Sequence, residues 1–247
     1  MNPSTRTAVN RWRRSIAFPI KLIVMYAWLF VARCLCSQTV SPMIQEFIGE
    51  AEGRIALTNN TPEPVAVVLE PRSFNIAPDG HGVYRSLDSK VHLKLSSTSF
   101  RIDPGQTLYA LYRAKADTLP AWFTIYSTFS MVGHRTGLDT RILLPHTVYI
   151  YPKKRASKGD IIEAKQAAYF WKMGKIVCEI ENNTLDLERV EKVRVTSDSM
   201  SVTYPGFPLL PGAKRHLQMD WKETDSPEEL EIFTTRSTLK LKLTERE

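Results

Sequence analysis

From about residue 40 onward, apolar side chains in this chain alternate with polar ones instead of recurring every third or fourth place. Ile55 and Leu57 do so, as do Val65, Val67 and Leu69; Phe100 and Ile102; Leu108, Ala110 and Tyr112; Phe123 and Ile125; and Val148 and Ile150. A period of two puts successive side chains on opposite faces of an extended strand, which leaves one face to bury and one to wet. Between the runs stand turn-forming clusters: Thr58-Asn59-Asn60-Thr61-Pro62, Ala77-Pro78-Asp79-Gly80, Asp103-Pro104-Gly105 and Thr136-Gly137. Many short strands at this spacing predict an all-β chain built as a sandwich. Only Ile161 to Met173 has the composition of a helix, and it reads equally well as a strand.

The pattern is then written a second time. Gly53-Arg54-Ile55-Ala56-Leu57-Thr58-Asn59-Asn60-Thr61 is answered by Gly174-Lys175-Ile176-Val177-Cys178-Glu179-Ile180-Glu181-Asn182-Asn183-Thr184. Each copy is followed by a Pro-Gly corner, Pro104-Gly105 and Pro211-Gly212, where proline presets one backbone angle and glycine accepts a positive one. The intervals differ, 45 residues from Asn59 to Pro104 against 29 from Asn182 to Pro211, so the repeat marks two related sandwiches and not a short repeat array. The polar, basic stretch Pro152 to Asp160 separates them as a solvated linker. The expected division is residues 38–153 and 160–247. A hydrophobic fraction of 43% is enough to give each half a core.

The net charge of +7 suggests a polyanion partner until its position is considered. Arg6, Arg11, Arg13, Arg14, Lys21 and Arg33 lie within residues 1–37, which contain no acid; without those six, 27 basic residues face 26 acidic ones. Nucleic acid is therefore not an expected partner. The front segment has instead the parts of an export signal: a basic stretch, the apolar run Leu22 to Ala32, and Cys34-Leu35-Cys36-Ser37. The run is 11 residues long, where a bilayer-spanning helix needs about 20, so a cleaved signal over 1–37 is favoured over a membrane anchor. Its removal leaves one cysteine, Cys178, set among Ile176, Val177 and Ile180 as a small buried strand residue.

Catalytic signatures are missing. There is no G-x-S-x-G elbow, and His81, His92, His134, His146 and His216 form no metal-binding pair, so each reads as a surface or half-buried strand residue. Asp79-Gly80-His81-Gly82 lacks the strand-to-helix context of a phosphate loop and reads as a hairpin turn. Trp122, Phe123, Tyr126 and Phe129 follow the alternation and read mostly as core. Neither an enzyme, a metal nor a cofactor is expected.

Several segments, in order, resemble the periplasmic chaperones of pilus assembly by the chaperone–usher pathway. They are the strand, corner and strand from Ala56 to Val65; Phe100-Arg101-Ile102-Asp103-Pro104-Gly105-Gln106-Thr107; Leu119-Pro120; Val148-Tyr149-Ile150-Tyr151-Pro152; and Leu210-Pro211-Gly212-Ala213-Lys214-Arg215. The resemblance implies two tandem immunoglobulin-like β-sandwich domains arranged as a boomerang. It also implies a non-enzymatic role in the periplasm: holding pilin-like fibre subunits, each short of one strand, and passing them to an outer-membrane usher. In that family the last strand of the first domain is lent to the subunit.

A lent strand needs an exposed backbone edge and alternating apolar side chains. In the segment Arg141 to Tyr151, Ile142, Leu144, Val148 and Ile150 share one parity, with His146 interrupting, and Pro145, which lacks an amide hydrogen, suits an edge. Packing within the domain's own core accounts equally well for Val148 and Ile150; Ile142 and Leu144 are the better donor candidates. The family also grips the subunit's terminal carboxylate with an arginine and a lysine. Their places here fall on Ile44 and Val148, neither of them basic, which leaves Arg141, Arg54 and Arg113 as candidate anchors. The competing expectation is a tandem structural or adhesive module with no client.

Overall fold

The computed structural model describes residues 37–132, 141–153 and 162–247. Among them there are strands and no helix. One sheet of the first sandwich runs β1 (Gln38–Ser41), β3 (Ala51–Asn59), β8 (Thr107–Ala116), β6 (Val91–Leu95). The facing sheet runs β2 (Ile44–Ile48), β10 (Arg141–Tyr151), β9 (Ala121–Met131), β4 (Val65–Ile76), β5 (Gly82–Ser86), and β7 (Ser99–Ile102) also pairs with β4. The second sandwich opposes β15 (Lys214–Asp220), β12 (Lys175–Asn182), β11 (Ile162–Phe170), β18 (Thr244–Arg246) to β14 (Ser201–Leu209), β13 (Glu188–Thr196), β16 (Glu229–Thr234), β17 (Thr238–Lys242). The ambiguous stretch after Ile161 is thus strand β11. Residues 1–36, His134 and most of the linker lie outside the described residues.

The alternation sorts side chains as period two requires. In β8, Ala110, Tyr112 and Ala114 are buried while Tyr109, Leu111 and Arg113 face water. The first core gathers Ile55, Leu57, Val65, Val67, Ile102, Phe123, Ile125, Phe129, Val148 and Ile150. The second is built around Ile176, Cys178, Ile180, Val195, Leu230 and Ile232. Burial pushes the Cys178 thiol up to about 12, which keeps it a neutral packing group.

The two repeated corners turn out to be halves of one joint. Asn59 is fully buried, and its Nδ2 donates to the carbonyls of Glu63 (2.7 Å) and Ile102 (3.1 Å); its Oδ1 accepts from the Thr61 amide and hydroxyl. Ile102 is the last residue of β7, just ahead of Pro104-Gly105. In the second sandwich, Asn182 Nδ2 donates to Asp186, Leu209 and Leu210, and its Oδ1 accepts from the Thr184 amide and hydroxyl. One amide side chain therefore ties each Asn-Asn-Thr corner to its Pro-Gly corner and satisfies buried carbonyls that would otherwise cost more than 1 kcal/mol each. Gly105 and Gly212 adopt φ of 73° and 66°, the conformation the corner demands of its glycine.

Each sandwich is closed by a strand that changes sheets. β1 pairs antiparallel with β3, and after Pro42 the chain crosses over and β2 pairs parallel with β10, from Ile44 opposite Thr147 to Ile48 opposite Tyr151. In the second sandwich β17 pairs antiparallel with β16, and β18 then crosses to pair parallel with β11 at Ala168, Tyr169 and Phe170. The sandwiches meet over a small apolar cluster, Phe74, Tyr149 and Tyr151 against Leu187 and Leu210, with Trp122 Nε1 donating to the Phe74 carbonyl at its margin. A backbone bond from His216 N to the Pro78 carbonyl (2.8 Å) crosses the same junction. The Arg215 guanidinium lies over Gly80, where a Cβ would fall within 2.3 Å of it.

Candidate functional site: the uncovered edge of strand β10

Strand β10 is bonded on one side to β9 along almost all its length, from Arg141 opposite Ser130 to Ile150 opposite Ala121. On its other side β2 covers only Thr147 to Tyr151. No strand among the described residues pairs with Ile142 to His146 on that side. The strand is therefore half interior and half rim.

Its register explains where cover stops. The parallel ladder includes a bond from the Thr147 amide to the Met43 carbonyl (2.7 Å), and the odd-numbered residues of β10 aim their amides and carbonyls toward β2. The next donor in that series would be the amide of residue 145, which is proline and has none. The ladder ends there, and the Leu143 amide and the Leu143 and Pro145 carbonyls are left toward the uncovered edge.

The four residues expected to be lent divide along the same line. Val148 and Ile150 are fully buried in the sandwich's own core, on the stretch that β2 covers. Ile142 and Leu144 are only partly buried, packed against the rim of that core, on the uncovered stretch. Between them Leu143 points the other way and is 54% exposed.

His146, expected at the surface or half-buried, is completely buried. The parity signal was present, since it falls between Leu144 and Val148 on the inward face. Its Nδ1 lies 2.6 Å from the Pro42 carbonyl at the crossover, and its Nε2 lies 3.1 Å from the Tyr112 hydroxyl, which is 2.7 Å from Gln45 Oε1 on β2. Gly53 makes room for this chain of polar groups: a Cβ there would lie 2.6 Å from the Tyr112 oxygen and 2.8 Å from Gln45 Oε1. Burial lowers the His146 pKa below its ordinary 6.5, against a smaller opposing effect of the Pro42 carbonyl. Burial likewise raises that of Tyr112.

The candidate anchors do not converge. Arg54 and Arg113 stand on the outward face of the β1-β3-β8-β6 sheet; Arg54 lies over the Tyr109 ring at 5.1 Å, and Arg113 is paired with Glu52 at 2.8 Å. Arg141 is at the start of β10 in the other sheet. Ile44 points outward and Val148 inward, so the two positions where the resemblance places cations face opposite sides of their sheet. A cation that sequence reasoning passed over sits at the junction of the sandwiches: Arg189, on β13, donates to Glu46 and lies 5.8 Å from the Tyr149 ring centre. Its partners are 143 and 40 residues away in the chain, so no local pattern could have shown the contact. Among the described residues no cluster of three or more His, Cys, Asp or Glu could hold a metal ion, and no helix is long and apolar enough to cross a membrane.

No protein-family model matches the sequence, and no curated protein matches it. Solved structures do. The YadV chaperone superposes with a TM-score of 0.53 at 8% identity, over 83% of this chain and 99% of the other. The class 5 fimbriae chaperone CfaA superposes with a TM-score of 0.50 at 9% identity, over 84% of this chain and 99% of the other. The resemblance expected from the sequence therefore holds for the fold across both sandwiches.

Proposed function

We propose that this protein is a chaperone that holds β-rich fibre subunits by lending them the uncovered edge of β10 and, after export to the periplasm, passes them to an outer-membrane assembly platform. The observation that carries the reading is the split of β10 at Thr147: a rim strand with free backbone groups and apolar side chains at Ile142, Leu143 and Leu144, rigidly continued by a strand locked into the core. A subunit missing one strand of its own sandwich offers the complement. Its sheet edge needs a strand, and its open core needs side chains of alternating parity. Completing the burial of Ile142 and Leu144 in such a groove contributes on the order of 1 to 2 kcal/mol each, since both are already partly covered at home. The fold shared with the fimbriae chaperone CfaA agrees with the reading. The lent segment is shorter than the four-residue set Ile142, Leu144, Val148 and Ile150, because lending the last two would require β2 to peel away and the core to open. The anchor for a subunit's carboxylate stays unassigned among Arg141, Arg54 and Arg113. A tandem structural module without a client would keep every sandwich feature and have no use for the uncovered rim.

The test mixes the purified protein with a pilin-type subunit from the same genome and follows complex formation by gel filtration. Ile142→Asp/Leu144→Asp should abolish the complex while the melting curve of the second sandwich is unchanged, and Leu143→Asp, on the opposite parity, should weaken it much less. Equal binding by wild type and the double variant would remove the strand-lending reading.

A further inference from the structure

The length of edge that β10 offers is set at one place, and the groups there are titratable. Pro145 ends the backbone ladder, but it does not by itself send the preceding chain to the other sheet. The Pro42 carbonyl, at the crossover between β1 and β2, is claimed by the His146 side chain at 2.6 Å. A carbonyl only accepts, so Nδ1 carries a hydrogen whatever the charge of the ring. The consequences pass to the other nitrogen. With Gln45 Oε1 facing the phenol, the one hydrogen of Tyr112 goes to Gln45, and Nε2 must bring its own, which makes the ring a cation. With the Gln45 amide turned end for end, its NH2 donates to Tyr112, Tyr112 donates to Nε2, and the ring is neutral. Each of these three contacts is a donor–acceptor pair in both arrangements; they differ in one buried positive charge.

Among the described residues no acidic side chain faces that charge, β1 (Gln38–Ser41) contributing no titratable group, and burial outweighs the partial offset from the Pro42 carbonyl. From β8 it meets Tyr112, whose ring packs edge-on at 5.3 Å and which burial keeps un-ionised; from β2 Gln45; from β9 its cross-strand partner Ile125; and from the crossover the Pro42 carbonyl. From β3 the facing residue is Gly53, and the neighbouring charges Glu52, Arg54 and Arg113 stand on the outward, exposed parity of their strands. We propose that His146 is the positioning residue that fixes the crossover and so sets how much of β10 is left open to a partner strand, and that it does so only while its imidazole is neutral. The role for a partner rests on the strand-lending reading; the latch itself does not. On acidification the charge is relieved when the ring leaves its buried site for water, which breaks its bond to Pro42 although that carbonyl favours the cation, and the β2–β10 ladder frays from Thr147.

The test uses the full chain and nuclear magnetic resonance. Between about pH 7.5 and about pH 5, the His146 ring should titrate with a midpoint below 6.5, and the Gln45 side-chain amide should shift with the same midpoint. Protection of the Thr147 amide against exchange, corrected for the intrinsic rate, should fall about tenfold over that interval. His146→Asn, which keeps a donor near the Nδ1 position and does not titrate there, should hold its protection across the range. A Gln45 signal that ignores the titration, or a Thr147 amide equally pH-dependent in His146→Asn, overturns the proposal, and the first reading needs no variant. Binding of an end-blocked peptide with valine at alternate positions is followed separately: absence of binding at both pH values with the Gln45 and Thr147 responses intact counts against strand lending and leaves the latch standing.

Discussion

The two sandwiches solve the same closing problem and finish it differently. In each, one strand crosses between sheets and covers part of a neighbour by parallel pairing, leaving the remainder of that neighbour's edge without a strand partner among the described residues. In the first, β2 covers Thr147 to Tyr151 of β10 and leaves Ile142 to His146. In the second, β18 covers Ala168 to Phe170 of β11, and no described strand pairs with Ile162 to Lys165 on that side. The bare stretch of β11 alternates Ile162 and Ala164 with Glu163 and Lys165. Lys165 pairs with both Glu163 and Glu181 at 3.3 Å, Glu163 also accepts from Asn183, and the ladder with β12 slips between Lys165 and Ala168, where Gln166 adopts a φ of 54°. Charge and a bulge are the usual protections of an exposed edge. The bare stretch of β10 has leucine where β11 has charge. One rim is guarded by charge and the other carries an exposed leucine, Leu143, in its place, and that difference is why the proposed partner strand is placed on the first sandwich.

If the sandwiches are truly equivalent below that difference, their joints should fail alike. Asn59→Ala and Asn182→Ala each strip the amide that satisfies several buried carbonyls and holds two corners together. Each should cost about 3 kcal/mol or more in denaturant unfolding. The two hydrogens of Asn182 are shared among three carbonyls and those of Asn59 serve two, so the costs should agree within about 1 kcal/mol. A large loss in one sandwich and a small one in the other would show that the repeat is formal only.

Within β10 the comparison sharpens to single residues. Ile150→Ala empties a fully buried site and should cost about 3 kcal/mol, whereas Leu144→Ala, at the rim, should cost about 1 kcal/mol. Subunit binding should rank them the other way, with Leu144→Ala the more damaging. The same order in both measurements would mean that the rim and the core of β10 are not distinct in use.

Much of this was legible in the sequence, and the limits have physical causes. Period-two alternation fixed the strands and their inward faces, and the repeated Asn-Asn-Thr and Pro-Gly corners fixed the doubling, because those signals are local. Ile142, Leu144, Val148 and Ile150 share a parity, and in the structure all four point inward. Parity cannot distinguish a covered edge from a bare one, since cover comes from β2, about a hundred residues earlier in the chain. The inward direction of His146 shows in its parity, but the groups that make a buried imidazole tolerable, a carbonyl at Pro42 and a hydroxyl at Tyr112, are remote in sequence. Arg189 and Glu46 belong to the same class of contact.

The smallest effect on stability tests the comparison most directly. Glu163→Val together with Lys165→Val removes a half-exposed ion pair, and the mostly covered Glu181 keeps its second partner Lys214, so the melting temperature should scarcely move. The bare edge of β11 would then carry apolar side chains on both parities, as β10 does. If charge is what keeps that rim single, the variant should associate, by self-pairing or by taking up the alternating-valine peptide, and light scattering or peptide titration would register it. Should the variant stay monomeric and inert, the bulge at Gln166 protects the rim without help from charge, and the difference between the two sandwiches lies in backbone geometry, with Pro145 and Gln166 as the residues that set it.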